Sequence, residues 1–523
     1  MHQLKYRRSC NVLTVDLSDS IISSIKSACR KYSTLLESFV NWEQKGIPKS
    51  AGLSNSKDFD LNRMRKLLGG LGNPHLSWPA VHVAGSKGKG STVALISSVL
   101  RSAGYKVGVY MSPHMHHISE RISTDMWTHL RPESFEALVQ NNSKTLEHVQ
   151  QAEGGALSHF EAVTGLAYRH FADEKVDIGV IETGLGGLTD ATNVIDEQQL
   201  QLAVITSLGY EHVDALGGSI QSIAAAKAGI LKRGRPVVLS RQQHEEALQV
   251  VLEHAHHGGC EVLRAEQMVQ VKHHSYSVDP LRLQSSAIEH LHISGPDGIE
   301  LEACSSLIGA HQHDNIATAV TCLCKLRGMG WAISDQHISL GIERARLPGR
   351  FQVMCLQSPG EGRVLGTITS DTNSSPPSPQ RYVVLDGAHT RESASALTST
   401  LRVVFPSEPI VLVIAMASDK EHRAVIEEMR KCGPKAVVFT STAIAGSSDR
   451  SCAPGVLASH WQVASMTSSQ PMSYGRCRQL IQASLPAAID KAKHELSGHG
   501  PGGIICVTGS LHAAAEAERF LTR

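Results

Sequence analysis

A glycine-rich loop set between a short β-branched run and a helical stretch constrains this chain more than any other feature. Val81-His-Val-Ala reads as a buried strand, Gly85-Ser-Lys-Gly-Lys-Gly-Ser91 as a tight loop, and the residues from about Lys89 to Ala103 as a helix. A strand that turns directly into a helix aims backbone N–H groups and the positive end of the helix dipole at one spot, which suits phosphates. Glycines such as Gly88 and Gly90 are needed because side chains would hold the backbone away from the phosphate oxygens. Lys89 can reach the outer phosphates, and Ser91 can offer its hydroxyl to Mg2+. The spacing is shorter than the common GxxxxGK[ST] loop, and a glycine-rich turn with two solvated lysines is the plain alternative.

The alternation of short apolar runs with helical stretches continues through Val107-Gly-Val-Tyr-Met, Ile178-Gly-Val-Ile, Ala203-Val-Ile-Thr and Pro236-Val-Val-Leu, with an amphipathic segment at Ile220 to Leu231. This is the pattern of βαβ units around a parallel sheet, so the fold class is α/β. Residues 255 to 305 become histidine-rich and strand-like, and read as an insertion or a terminal meander of the same domain. A second α/β set follows Arg346-Leu-Pro-Gly-Arg-Phe, with runs at Tyr382, Ile410, Ala436 and Ile504. The expected division is a leader or disordered tail over 1–30, a first domain over 31–345 and a smaller one over 346–523. Ser358 to Gln380 and Ser441 to Gly455, rich in serine, glycine and proline, read as surface loops.

Charge and cysteine content exclude several classes of function. Lysine plus arginine number 50 against 49 acidic residues, so no overall basic field attracts nucleic acid or an anionic membrane, and anionic ligands need local sites. No run reaches the about 18 apolar residues needed to span a bilayer. The 11 cysteines are scattered, which fits a reducing compartment without structural disulfides. Lys5, Arg7, Arg8, Lys26 and Arg30 with nearby serines faintly resemble a transit peptide, against which stand Asp16 and Asp19. The expected location is mitochondrial, with the cytoplasm as the alternative, and the chain is expected to be a monomer.

Further blocks follow in order: Ser112-Pro-His114, Ser158-His-Phe-Glu161, Glu182-Thr-Gly-Leu-Gly-Gly187, Asp190-Ala-Thr-Asn193, His212 within Gly209-Tyr-Glu-His, Lys227-Ala-Gly-Ile230, Gly309 to Asn315, Leu347-Pro-Gly-Arg350 and Asp386-Gly-Ala-His389. With the Gly85 to Ser91 loop, in which Ser86 replaces the usual threonine, these blocks resemble the folylpolyglutamate synthase and Mur ligase family over about residues 35 to 515. The resemblance implies a P-loop-containing N-terminal Mur-ligase-type ATPase domain with a smaller α/β C-terminal domain. It also implies an ATP-dependent ligase that makes an acyl phosphate and passes the acyl group to the amine of L-glutamate.

Glu182 ends an apolar strand where P-loop proteins place a metal-directed carboxylate, a capping role being the alternative. By resemblance Ser112, Glu182 and His212 are ligands of Mg2+, of which two ions are expected. The family's lysine in the Lys227 block is carbamylated (N6-carboxylysine), so Lys227 is expected to be catalytic with Lys89 and His212, although Ala226 stands where the family has glutamate. An ordinary exposed helix lysine is the alternative. Asn315, Arg350, Asp386 and His389 resemble the family's nucleotide contacts, joining Gly88, Lys89, Gly90 and Ser91 at ATP. Ser158, His159, Phe160 and Glu161 look like the pteroate-contacting segment in its dihydrofolate synthase form, where Phe160 could stack on a flat ring. Gly46-Ile-Pro through Phe59 to Arg65, and Val81-His-Val-Ala-Gly, resemble plant-type dihydrofolate synthases. The expected acceptor is dihydropteroate, with a reduced folate, taken by a folylpolyglutamate synthase or a bifunctional enzyme, as runner-up. The histidine runs 114–117 and 254–257 are expected to be solvated. A GTPase switch is disfavoured because no Asn-Lys-x-Asp tetrapeptide occurs.

Overall fold

The computed structural model describes residues 35–49, 52, 59–124, 129–278, 287–356, 381–444, 446, 448–467, 477–498 and 502–522. The expected leader over 1–30, the loop at 358–380 and part of the segment 46–65 lie outside them.

Seven strands form the first sheet: β1 (Ala80–Ala84), β2 (Val107–Tyr110), β3 (Ile122–Ser123), β4 (Ile178–Glu182), β5 (Leu200–Ile205), β6 (Val237–Leu239) and β7 (Val262–Arg264), in the order β3-β2-β4-β1-β5-β6-β7. Only β3 runs antiparallel to its neighbour. A three-stranded antiparallel sheet follows, β10-β9-β8, from β8 (Gln270–Val278), β9 (Ala287–Ser294) and β10 (Glu300–Ser305). The last sheet has six strands, β11 (Gln352–Leu356), β12 (Arg381–Leu385), β13 (Ile410–Ile414), β14 (Ala436–Phe439), β15 (Arg478–Ile481) and β16 (Gly503–Thr508), ordered β11-β12-β16-β13-β14-β15. Only β11 is antiparallel there. The helices that position the site are α1 (Leu61–Gly70), α2 (Lys89–Ser102), α3 (His159–Asp173), α4 (Ile220–Ala228), α5 (Ala310–Gly328), α6 (Arg391–Val404) and α7 (Leu511–Leu521).

The central strands are continuous apolar runs because helices cover both faces of a parallel sheet. β1, β4 and β16 are buried at every residue. One core packs Met64, Leu67 and Leu68 of α1 and Leu166 of α3 against Ala80, Ala84 and Ile181. Another packs Val81, Val83 and Val180 against Val93, Ile96 and Val99 of α2, together with Leu291 and Ile293 of β9 and Ile316 and Val320 of α5. The histidine-rich region is therefore a cover on the same core as the first sheet. Its outward positions explain the composition: His290 and His292 alternate with buried Leu291 and Ile293. Among the described residues no helix is long and apolar enough to cross a membrane, and the nine described cysteines are free thiols.

Two residues expected at the substrate have a part in the fold. Ser158 and Glu161 form a capping box at the start of α3. Ser158 Oγ donates to Glu161 Oε2 at 2.7 Å, and the same carboxylate accepts from Arg63 Nε at 2.9 and 3.0 Å. With 3% of its surface exposed, Glu161 is committed to the α1–α3 contact. Removing Arg63 strands a buried carboxylate. Arg63→Ala is expected to lose about 3–5 kcal/mol of unfolding free energy, and Ser158→Ala about 1 kcal/mol, both measurable by urea denaturation.

Candidate active site

Four strand ends converge. In the order β2-β4-β1-β5 their C-terminal ends lead to Ser112, Glu182, Gly85 and the segment carrying His212, and ligands of open α/β sheets bind outside such carboxyl ends. Ser112 N–H donates to Glu182 Oε2 at 3.2 Å. A Cβ built on Gly90 would stand 3.8 Å from that same oxygen, so the carboxylate faces the first turn of α2. On the other side of β1, the N–H groups of Ser86 and Lys87 both donate to Ser207 O at 3.0 Å. Ser86 Oγ donates to Gly209 O at 2.9 Å, which ties the loop to the segment carrying His212.

The lysines crowd one point. Lys89 Nζ and Lys227 Nζ both donate to Gly85 O, at 3.0 and 2.8 Å. Lys227 reaches there because Leu188 N–H donates to Ala226 O at 2.7 Å, drawing the end of α4 against the Glu182–Gly187 loop. Lys227 is 2% exposed, and burial, with the Lys89 charge adding to it, pushes its amine down to about 7. Glu182 is 4% exposed, and burial pushes its carboxyl up to about 7 against the pull of Lys89. Burial also opposes ionisation of Glu211, yet Lys87 at 3.2 Å, with Lys89 nearby, holds it well below the usual carboxylate range. His212 keeps an open face but is walled in enough that desolvation, with Lys227 and Lys89 adding to it, lowers its imidazole to about 4. Its φ of 53° is strained for a residue with a Cβ, a feature that clusters at functional sites.

Helix α5 of the first unit and the C-terminal unit together complete the wall. Gly88 has φ 88°, and a Cβ there would stand 2.1 Å from Asn315 Oδ1, so α5 lies directly on the loop. Asn315 is fixed by donating from Nδ2 to Gln312 Oε1 at 2.8 Å. Asp386 accepts from the N–H groups of Phe351 and Ala388, each at 2.8 Å, and so pins the junction beside Arg350. Desolvation and the cations Lys420 and Lys87 lower His389 to about 4. His389 thus feels the phosphate loop of one unit and Lys420 of the other.

Phe160 lays its ring against Gly184, where a Cβ would stand 2.4 Å from it, with Tyr110 at 6.0 Å between ring centroids. Beside it, desolvation and Arg121 lower His159 to about 4. The expectation that 114–117 is a solvated histidine run is corrected here. Arg121 Nε donates to His114 Nδ1 at 3.1 Å, burial and that guanidinium lower His114 to about 4, and His117 caps a helical turn through its own Nδ1. His116 alone is exposed, pairing with Glu518 of α7 at 2.8 Å. His254, His256 and His257 are exposed, as expected.

The Mur ligase middle domain matches residues 83–323, and the Mur ligase glutamate ligase domain matches 375–511. A dihydrofolate synthase/folylpolyglutamate synthase of Bacillus subtilis (strain 168) is 33% identical over 71% of this chain and 78% of that protein. The chain belongs to the dihydrofolate synthase/folylpolyglutamate synthase family. It is an acid–amino-acid ligase with the α/β Mur ligase fold. A dihydrofolate synthetase of Saccharomyces cerevisiae is 28% identical over 70% of this chain and 79% of its own length. The crystal structure of Mycobacterium tuberculosis folylpolyglutamate synthase complexed with ADP and AMPPCP superposes with a TM-score of 0.71 at 25% identity, covering 89% of this chain and 96% of that one.

Among the described residues no three His, Cys, Asp or Glu side chains form a ready metal cage in this ligase. Mg2+ takes oxygen ligands, keeps waters and leans on substrate phosphates, so one buried carboxylate fits it. Glu182, with Ser112 on one side and the turn of α2 that carries Ser91 on the other, has that chemistry. His212 approaches from the opposite side of β1. Sequence reasoning missed Lys87, Glu211 and Arg121. The first two adjoin residues already singled out, whereas nothing in the sequence separates Arg121 from other basic residues. Gly88→Ala is expected to cut nucleotide-dependent turnover by at least about a hundredfold, read in a steady-state phosphate-release assay, with the far-ultraviolet circular dichroism unchanged.

Proposed function

We propose that this ligase uses ATP to join L-glutamate to the carboxylate of 7,8-dihydropteroate, forming dihydrofolate. The observation that supports a pterin-bearing acceptor is the partly exposed ring of Phe160 beside Gly184, two residues beyond Glu182, and the choice of dihydropteroate rests on the resemblance of the 158–161 segment. A flat pterin-bearing acceptor can stack there with its carboxylate directed toward the phosphate loop. Relatives named for both activities favour a second reading, in which glutamate is also added to reduced folates.

A carboxylate and an amine form no amide at neutral pH without a better leaving group. In the proposed reaction an acceptor carboxylate oxygen attacks the γ-phosphorus of ATP and ADP leaves. The unprotonated amine of glutamate then attacks the acyl carbon, phosphate leaves, and the amine's proton goes to solvent. Both partners of the first step are anions, so charge neutralisation at fixed positions supplies the catalysis. Backbone N–H groups of Gly88, Gly90 and Ser91 cradle the phosphates, and Lys89 turns from Gly85 O toward them. Asn315 holds the nucleotide from α5 of the first unit, and Arg350, Asp386 and His389 hold it from the C-terminal unit, with a hinge at the boundary near residues 345 and 346. Closure about that hinge keeps water from the acyl phosphate.

Ser112, Glu182 and His212 would hold Mg2+, expected as two ions, which when bound neutralises phosphate charge. A Lys227 amine lowered to about 7 is substantially unprotonated at neutral pH and can add CO2, forming a carbamate and releasing one proton. That carbamate gives the site a second carboxylate near Gly85 and Lys89. The mitochondrial feature of this reading rests on Lys5 to Arg30 and the plant-type one on the segment 46–65 and Val81 to Gly85, and cell fractionation tests the first of them.

Incubation with ATP, Mg2+ and glutamate is expected to add one glutamate to dihydropteroate by product mass. Addition to tetrahydrofolate alone overturns the dihydrofolate synthase assignment, and addition to both makes the enzyme bifunctional. Native mass spectrometry in bicarbonate buffer is expected to find one added CO2 that Lys227→Ala abolishes, together with at least about a hundredfold loss of kcat. Full activity of Lys227→Ala would discard the carbamate.

A further inference from the structure

One buried carboxylate takes part in none of these steps. Glu289, in β9, has 0% of its surface exposed. Its Oε1 accepts from His273 Nδ1 of β8 at 2.9 Å and from His313 Nε2 of α5 at 2.7 Å, and its Oε2 accepts from the N–H of Gly309 at 3.3 Å. Burial opposes its ionisation, but these donors hold the carboxyl below the ordinary range, so it is an anion. Gly309 is the N-cap of α5. A carboxylate at a helix N-terminus is favoured by the helix dipole, and it fixes an N–H group that the helix itself leaves unpaired.

The cap is also where the two units press together. A Cβ on Gly309 would stand 2.6 Å from Thr400 Oγ1 of α6 and 3.0 Å from the His311 ring. Ala287, on the same face of β9 as Glu289, and Ile308 both belong to the core that contains Phe351, Val384 and Leu401 of the C-terminal unit. From that cap α5 runs on to Asn315, whose Oδ1 lies over Gly88. A continuous set of contacts leads from Glu289 through Gly309 and His313 to Asn315 and the phosphate loop.

We propose that Glu289 is a positioning residue for the nucleotide site, setting where α5 begins and so how Asn315 lies on Gly88. This rests on the reading of Gly88 and Asn315 as nucleotide contacts. Glu289→Gln keeps the side-chain shape and one acceptor but removes the charge. It is expected to weaken binding of the analogue AMPPCP with Mg2+ about tenfold, equal to about 1.4 kcal/mol, by calorimetry. The KM for ATP should rise by a similar factor, while the KM values for dihydropteroate and glutamate stay within about twofold. Amides of residues 309–315 should exchange with solvent faster. His313→Gln, which leaves no buried charge without donors, should weaken the analogue about threefold, and it carries the test alone if Glu289→Gln does not fold.

A purely structural Glu289 predicts a lower melting temperature with analogue affinity and KM for ATP unchanged, and that result overturns the proposal. Equal rises in all three KM values overturn it as well. A wild-type protein that binds no AMPPCP overturns the nucleotide reading itself and this proposal with it. Normal wild-type binding with an unaffected variant removes the proposal alone.

Discussion

Two lysine side chains, Lys89 and Lys227, donate to one carbonyl oxygen, that of Gly85. Like charges so close repel, and one of them is buried, so burial and mutual repulsion lower Lys227 to about 7. The arrangement persists because the fold leaves little alternative. The loop is stitched to Ser207 and Gly209 on one side of β1, the end of α4 is drawn in by Leu188, and Asn315 closes the top. The acidic groups Glu182, Glu211 and Asp190 stand nearby. Such a pocket favours a polyanion and a metal ion together, which is the charge pattern of a nucleotide triphosphate with its cation.

The two large sheets divide the labour. The first presents the loop, Glu182 and the lysines at its strand ends, a rigid platform because its central strands are buried on both faces. The second supplies Arg350, Asp386 and His389 across a junction pinned by Asp386. Contacts such as His116 with Glu518 and Gly309 with Thr400 span that junction. The small antiparallel sheet covers the first core while Ala287 joins the second, so it touches both units.

Much of the site was legible because its chemistry is local in sequence. Gly85 to Ser91 is one continuous loop, and Glu182 ends a strand whose apolar run is plain. The segment at 158–161 divides its side chains between two places. Ser158 and Glu161 follow the spacing of a capping box, and their side chains are consumed by α3 and Arg63, whereas His159 and Phe160 face the proposed acceptor side. His114 was mistaken for a solvated residue because its neighbour Arg121 becomes a partner only after β3 returns alongside β2.

The sequence by itself determined the α/β class, the phosphate loop, the order of the blocks and the family, because periodicity, glycine placement and short motifs depend on neighbours a few residues apart. Tertiary structure alone decided which charges share a space: Lys227 with Lys89, Glu211 with Lys87, Arg121 with His114, and Glu289 with Gly309 and His313. Lys227 and the Gly85 carbonyl that it shares with Lys89 are 142 residues apart along the chain. The energetics of these pairs come from burial and Coulomb interactions over a few ångströms, quantities that exist only once the chain has folded.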